Sequence, residues 1–228
     1  YFQASVVLDT LPPTAPAVTI NEGAEVTNEG LGRVVLSLAA DDANNIDRVR
    51  LSPRDDCTDA GPSQAYVALL NHELDQPGQD GPKSVYACFI DPAGNVSESA
   101  MATIRLDTTA PEIQGVAVST EAGLCNQACL VNDPRVQLQV SEAVEGDAIE
   151  IQIGRDAEFR GAAWQPRLPG LVPVEVPRRE GAHTIFLRVR DQAGNVSQVD
   201  SVDLVLDSEA PPAPSAEVDD YIAGGPLV

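Results

Sequence analysis

Apolar and polar residues alternate in short runs along this chain. Arg33-Val34-Val35-Leu36-Ser37-Leu38 and Ile46-Asp47-Arg48-Val49-Arg50-Leu51 are examples. A period of two sends alternate side chains to opposite faces of a half-buried β-strand. By this criterion strands are expected over residues 17–20, 33–38, 46–51, 64–70, 84–90 and 96–106. The same series returns over 113–118, 136–140, 149–153, 172–176, 184–190 and 196–206. Gly, Pro, Asp and Asn separate the runs, and no stretch combines a helical period with helix caps. Short strands at this density predict an all-β chain built of β-sandwiches.

The second series repeats the first. Asp91-Pro92-Ala93-Gly94-Asn95-Val96-Ser97 returns as Asp191-Gln192-Ala193-Gly194-Asn195-Val196-Ser197, an offset of 100 positions (191 − 91). Gly-Asn flanked by alternating apolar residues reads as a hairpin turn, because both residues tolerate positive φ. The strand end Ile104-Arg105-Leu106-Asp107 recurs as Leu204-Val205-Leu206-Asp207 and, earlier, as Val6-Val7-Leu8-Asp9. Each copy runs into a proline-bearing segment (Pro12-Pro13, Pro111, Pro211-Pro212), which predicts short, stiff linkers. The organisation expected is 1–10 as a tag-like remnant and the end of a preceding repeat, 11–107 as repeat one, and 108–207 as repeat two. Residues 208–228 are then a linker and the start of a third repeat or a tail. Each repeat is long enough to fold alone.

Charge narrows the partners. The formal net charge is −21, and Lys83 is the single lysine. Nucleic acids and anionic membranes need a basic footprint, so both are excluded as partners. No run resembles a membrane span or a secretory signal, so the chain reads as a soluble segment of a longer protein. The four cysteines fall as one pair per repeat, Cys57 with Cys88 and Cys125 with Cys129, which predicts disulfides and an oxidising compartment. Aligning the repeats puts Cys88 opposite Arg188 on the outer face. Val85, Ala87 and Phe89 then point inward, as do Ile185, Leu187 and Val189.

The phrase Asp-x-Ala-Gly-Asn-Val-Ser, followed by a strand and Leu-Asp-Thr-Thr-Ala-Pro, resembles the bacterial immunoglobulin-like (Big-type) repeats of large surface and adhesin-type proteins. The resemblance covers both repeats. It implies two tandem immunoglobulin-like β-sandwiches in an extended arrangement, forming a non-catalytic spacer of a cell-surface or secreted protein that presents adhesive or other domains. It also implies that other repeats of the same chain are partners, and that Ca²⁺ stiffens the junctions.

Carboxylates are the chemistry that could serve such a role. In a sandwich of this kind the incoming linker, the second-to-third-strand loop and the turn before the last strand meet at one end. Repeat one gathers Asp9, Asp41, Asp42, Asn44, Asn45, Asp91 and Asn95 there. Repeat two gathers Asp107, Glu142, Glu145, Asp147, Asp191 and Asn195. Converging oxygens can hold Ca²⁺. Alternatively, Asp91 and Asp191 hydrogen-bond their own turns and the loop acids are solvated surface. His72, in an apparent loop, and His183 lack a nucleophile pattern, and Ser97 and Ser197 do not sit in a nucleophile elbow. Trp164 reads as a cap on the edge of the repeat-two core. Two functions compete: a glycan- or protein-binding module that uses the outer face near Cys57 or Trp164, and a domain accessory to a secreted hydrolase.

Overall fold

A computed structural model describes residues 8–56, 62–144 and 147–212 of the chain. Repeat one contains β1 (Thr14–Ile20), β2 (Val26–Thr27), β3 (Arg33–Asp41), β4 (Arg48–Ser52), β5 (Gln64–Ala65), β6 (Leu69–Glu73), β7 (Gly81–Ile90) and β8 (Ala100–Leu106). One sheet has the order β1-β3-β6 and the other β2-β8-β7-β4-β5. Repeat two follows with β9 (Ile113–Thr120), β10 (Gly123–Cys125), β11 (Cys129–Val131), β12 (Arg135–Glu142) and β13 (Glu150–Gly154). It closes with β14 (Trp164–Pro166), β15 (Val172–Glu175), β16 (Gly181–Arg190) and β17 (Asp200–Leu206). Its sheets are β10-β9-β12-β15 and β11-β17-β16-β13-β14. These are two immunoglobulin-like β-sandwiches in tandem, with no sheet shared between them.

Alternation decides the layers. In β3 and β12 every second residue is buried (Val34, Leu36, Leu38 and Val136, Leu138, Val140). These side chains face Val85, Ala87 and Phe89 in one core, and Ile185, Leu187 and Val189 in the other. The two cores are separate apolar clusters, so each repeat removes its own apolar surface from water. Cys88 is buried but lies outside the core cluster, as expected of an outer-face position. It is disulfide-bonded, and its expected partner Cys57 lies outside the described residues. Cys125 and Cys129 are bonded and staple the turn between β10 and β11.

Three expectations change. The single strand over 64–70 is two short ones, β5 and β6, in different sheets: the chain crosses from one sheet to the other at 66–68. His72 therefore lies in β6 rather than in a loop. The strand over 96–106 begins at Ala100. Val96 makes only an isolated bridge to Ile90, and the same happens at Val196 and Arg190. β2 and β11 escaped notice because two or three residues carry no readable period. Each runs parallel to the last strand of its repeat (Val26↔Arg105, Leu130↔Val205) and extends that sheet.

Candidate functional site at the domain junctions

The Asp-x-Ala-Gly-Asn-Val-Ser turn is built the same way twice. Gly94 and Gly194 take φ of +93° and +92°, which an L side chain rarely adopts. Asn95 and Asn195 are not in the left-handed region, contrary to the hairpin reading. The N–H of Asn95 donates to Asp91 Oδ1 (2.8 Å) and its Nδ2 to Asp91 Oδ2 (2.8 Å). Asn195 treats Asp191 likewise, at 2.9 Å for both bonds. The two aspartates therefore brace their own turns. Burial pushes the Asp91 carboxyl up, but hydrogen bonds from Asn95 and the neighbouring backbone outweigh it and hold it below its usual value. Ser97 and Ser197 complete the turn. Each accepts the buried N–H of Phe89 or Val189 at 3.0 Å and donates to the carbonyl of Glu98 or Gln198.

The asparagine has a second task. Asn195 Nδ2 also donates to the backbone carbonyls of Asp107 (2.9 Å) and Thr109 (3.3 Å), in the linker that enters repeat two. Asn95 Nδ2 reaches the carbonyl of Asp9 at 3.3 Å. One side chain thus ties the turn before the last strand to the chain arriving 86–88 residues earlier. Next to this clamp, an added Cβ on Gly194 would lie 3.6 Å from Asn28 Nδ2 of repeat one, so the turn packs against the preceding sandwich.

The acids around the clamps divide unequally. At the first, ligand oxygens of Asp9, Asp42 and Asp91 lie within 4.8 Å of one another. Asn44 bridges two of them, Nδ2 to Asp9 Oδ2 and N–H to Asp42 Oδ1, both at 2.7 Å. Asp41 is outside this group: it ends β3, exposed, and its carbonyl accepts from Thr14. At the second clamp Arg105 forms an ion pair with Asp107 Oδ2 at 3.2 Å, so a guanidinium stands among the acids. Arg105, Asp107, Asp147, Asp191, Glu25 and Gln192 line a cavity of about 290 Å³ between the repeats. Burial raises the Asp147 carboxyl above its ordinary pKa. Repulsion from Asp191, Asp107 and Glu142 adds to the rise, and Arg105 opposes it. Glu142 is spent elsewhere, in a buried pair with Arg167 at 3.1 Å, while Glu145 lies outside the described residues. Arg105 and Arg167 were missed because only carboxylates were sought. The signal for Arg105 was present, since the repeat puts Val7 and Val205 at its position.

Trp164 does not cap the core. It opens β14 on the outer face, with the guanidinium carbons of Arg190 and Arg188 at 4.6 and 5.4 Å from its ring. Arg188 also lies 4.6 Å over Phe159 and donates to Gln152, and Arg190 pairs with Glu150. The indole is thereby engaged by cations of its own sheet. His183 Nε2 sits 2.6 Å from the Arg179 carbonyl. Burial lowers the pKa of His72, and Glu73 opposes the shift.

No protein-family model matches the chain, and no curated protein matches it in sequence. Solved structures do. Fibronectin(III)-like modules of CbhA from Clostridium thermocellum are 13% identical with a TM-score of 0.49, covering 88% of this chain and 100% of that one. The FN1–FN3 domains of chicken CNTN1 are 11% identical with a TM-score of 0.45, covering 86% and 67%. A tetra-tandem repeat from the extending region of a large adhesion protein is 18% identical with a TM-score of 0.32, covering 86% and 50%. The fold assignment rests on the strand order above. No helix among the described residues is long and apolar enough to cross a membrane.

Proposed function

We propose that this chain is a non-catalytic spacer of a secreted or cell-surface protein, holding neighbouring domains at a set distance and angle. The Asn195 clamp on the Asp107 and Thr109 carbonyls carries this reading. A flexible tether would leave those carbonyls to water. A clamp that fixes the linker onto the next sandwich transmits orientation from module to module. Its recurrence at Asn95 and Asp9 supports a chain of like modules. The disulfide chemistry suits an oxidising exterior. The engaged indole argues against Trp164 as a sugar platform. Small-angle scattering should give one maximum dimension for the tandem from low to physiological salt. A dimension that contracts as salt rises would mean a charged, flexible tether instead.

Calcium belongs to the same proposal at the first clamp. The oxygens of Asp9, Asp42 and Asp91 are hard ligands of the kind Ca²⁺ takes, and no arginine pairs with them among the described residues. Bound there, Ca²⁺ would neutralise the repulsion among the three carboxylates. At the second clamp Arg105 supplies some positive charge from the chain itself. Among the described residues Asp107, Asp147 and Asp191 do not converge as the first three do, so calcium is proposed for the first clamp alone.

A further inference from the structure

The two sandwiches differ at the end away from the clamp just described. Leu74 and Val176 are equivalent there: each donates its N–H across the first sheet, to Gly32 and Pro134, at 2.9 Å. In repeat one the loop that follows runs over six residues, 75–80, and lays Pro77 on Gly32 so closely that a Cβ on Gly32 would sit 2.8 Å from it. In repeat two the loop has four residues, 177–180, and valine replaces leucine. That end is left open between the sheets as a cavity of about 500 Å³. Its size is that of a small-molecule site.

The lining is unusual for a chain of net charge −21. Ile153, Val174, Val176 and Ile185 make an apolar floor, and Arg155, Arg179 and His183 stand at the rim. Neither the Arg155 nor the Arg179 guanidinium has a hydrogen-bond or ion-pair partner among the described residues. The one acid in the lining, Glu175, is already paired with Arg178 at 3.4 Å. His183, bonded to the Arg179 carbonyl, ties the short loop to β16. Repeat one has Pro53 and Lys83 at the positions of Arg155 and His183, and Lys83 is engaged with the Gln76 carbonyl.

We propose that this cavity binds a small organic acid, its carboxylate held by Arg155 and Arg179 and its apolar body laid on the floor. Guanidinium donors match a carboxylate in geometry as well as charge. Unpaired cations over an apolar surface select an acid over its neutral analogue. Of the acids near the rim, Glu175 is paired with Arg178, and Glu180 accepts from the N–H and hydroxyl of Ser208.

The test is an amide-shift titration of the full chain with 4-phenylbutyrate, beside its neutral amide. The acid should produce saturable shifts confined to residues 153–155, 174–179 and 182–186. The amide should bind at least about ten-fold more weakly, and so should the acid to the R155Q/R179Q variant. Both arginines are exposed, so the variant should keep its spectrum elsewhere and its melting temperature. Three results would each overturn the proposal: no saturable shift at tens of millimolar, equal binding of the amide, or unchanged affinity in a folded variant.

Discussion

Replacing Asn195 by alanine separates its two tasks. The bond to Asp191 Oδ2 is charge-assisted and within repeat two, and such a bond contributes about 1.5–3 kcal/mol. The bond to the Asp107 carbonyl is neutral and crosses to the incoming chain, contributing about 0.5–1.5 kcal/mol. The longer contact to Thr109 adds less. In the tandem, then, N195A should destabilise repeat two by about 2–4.5 kcal/mol. Expressed as residues 109–207, the repeat lacks Asp107 and has already lost the crossing bond, so there the same change should cost about 1 kcal/mol less. For a sandwich of this size that difference is about 4–8 °C in melting temperature. Calorimetry on four proteins, tandem and separate repeat, each with and without the change, measures it. An identical loss in both backgrounds would show that Asn195 only shapes its turn, and the clamp argument would fall.

Other substitutions probe the remaining parts. Ser197→Ala leaves the buried Val189 N–H without its partner and should cost about 1–3 kcal/mol in chemical denaturation, with Ser97→Ala doing the same in repeat one. Arg167→Leu strands the buried Glu142 carboxylate and should cost about 3–5 kcal/mol, whereas Glu142→Leu together with Arg167→Leu should recover most of it. Asp147→Asn should raise the melting temperature of repeat two slightly at pH 7. Because the folded pKa of Asp147 lies above its unfolded value, its penalty is felt only once it ionises, so the gain should vanish as the pH falls through the carboxylate range. Millimolar Ca²⁺ should raise the melting temperature of repeat one and not of repeat two, and Asp42→Asn should abolish the effect. Equal shifts in both repeats, or none, would remove calcium from the account.

Much of the fold was legible because alternation and an offset of 100 carry the same information twice. The inward sets Val85, Ala87, Phe89 and Ile185, Leu187, Val189 follow from period two once the repeats are aligned and Arg188 marks the outer face, and the structure buries each of them. The crossing between β5 and β6 was not legible, since residues 65–70 form one continuous apolar run with no Gly, Pro, Asn or Asp to mark a break. At the junction, sequence order located Asp9, Asp42, Asp91, Asp107, Asp147 and Asp191 near their clamps. It could not show that Asp41 faces away or that Glu142 is bonded to Arg167, because those outcomes depend on which pleat each side chain occupies and on partners 25 residues distant. The asparagine was read for its backbone freedom, and its decisive property is its side-chain amide. Trp164 was read by area alone. The arginines at alternate positions of β16, Arg188 and Arg190, were the overlooked signal for its place on the outer face.

The central claim is that the linker is fixed onto the sandwich it enters, and residual dipolar couplings of the tandem test it most directly. If the Asn195 clamp holds, couplings from the two repeats fit one alignment tensor of equal magnitude and a single relative orientation, and N195A splits them into two tensors of unequal magnitude. Two unequal tensors in the unaltered protein would mean that the repeats reorient freely, which contradicts a spacer that sets angle as well as distance.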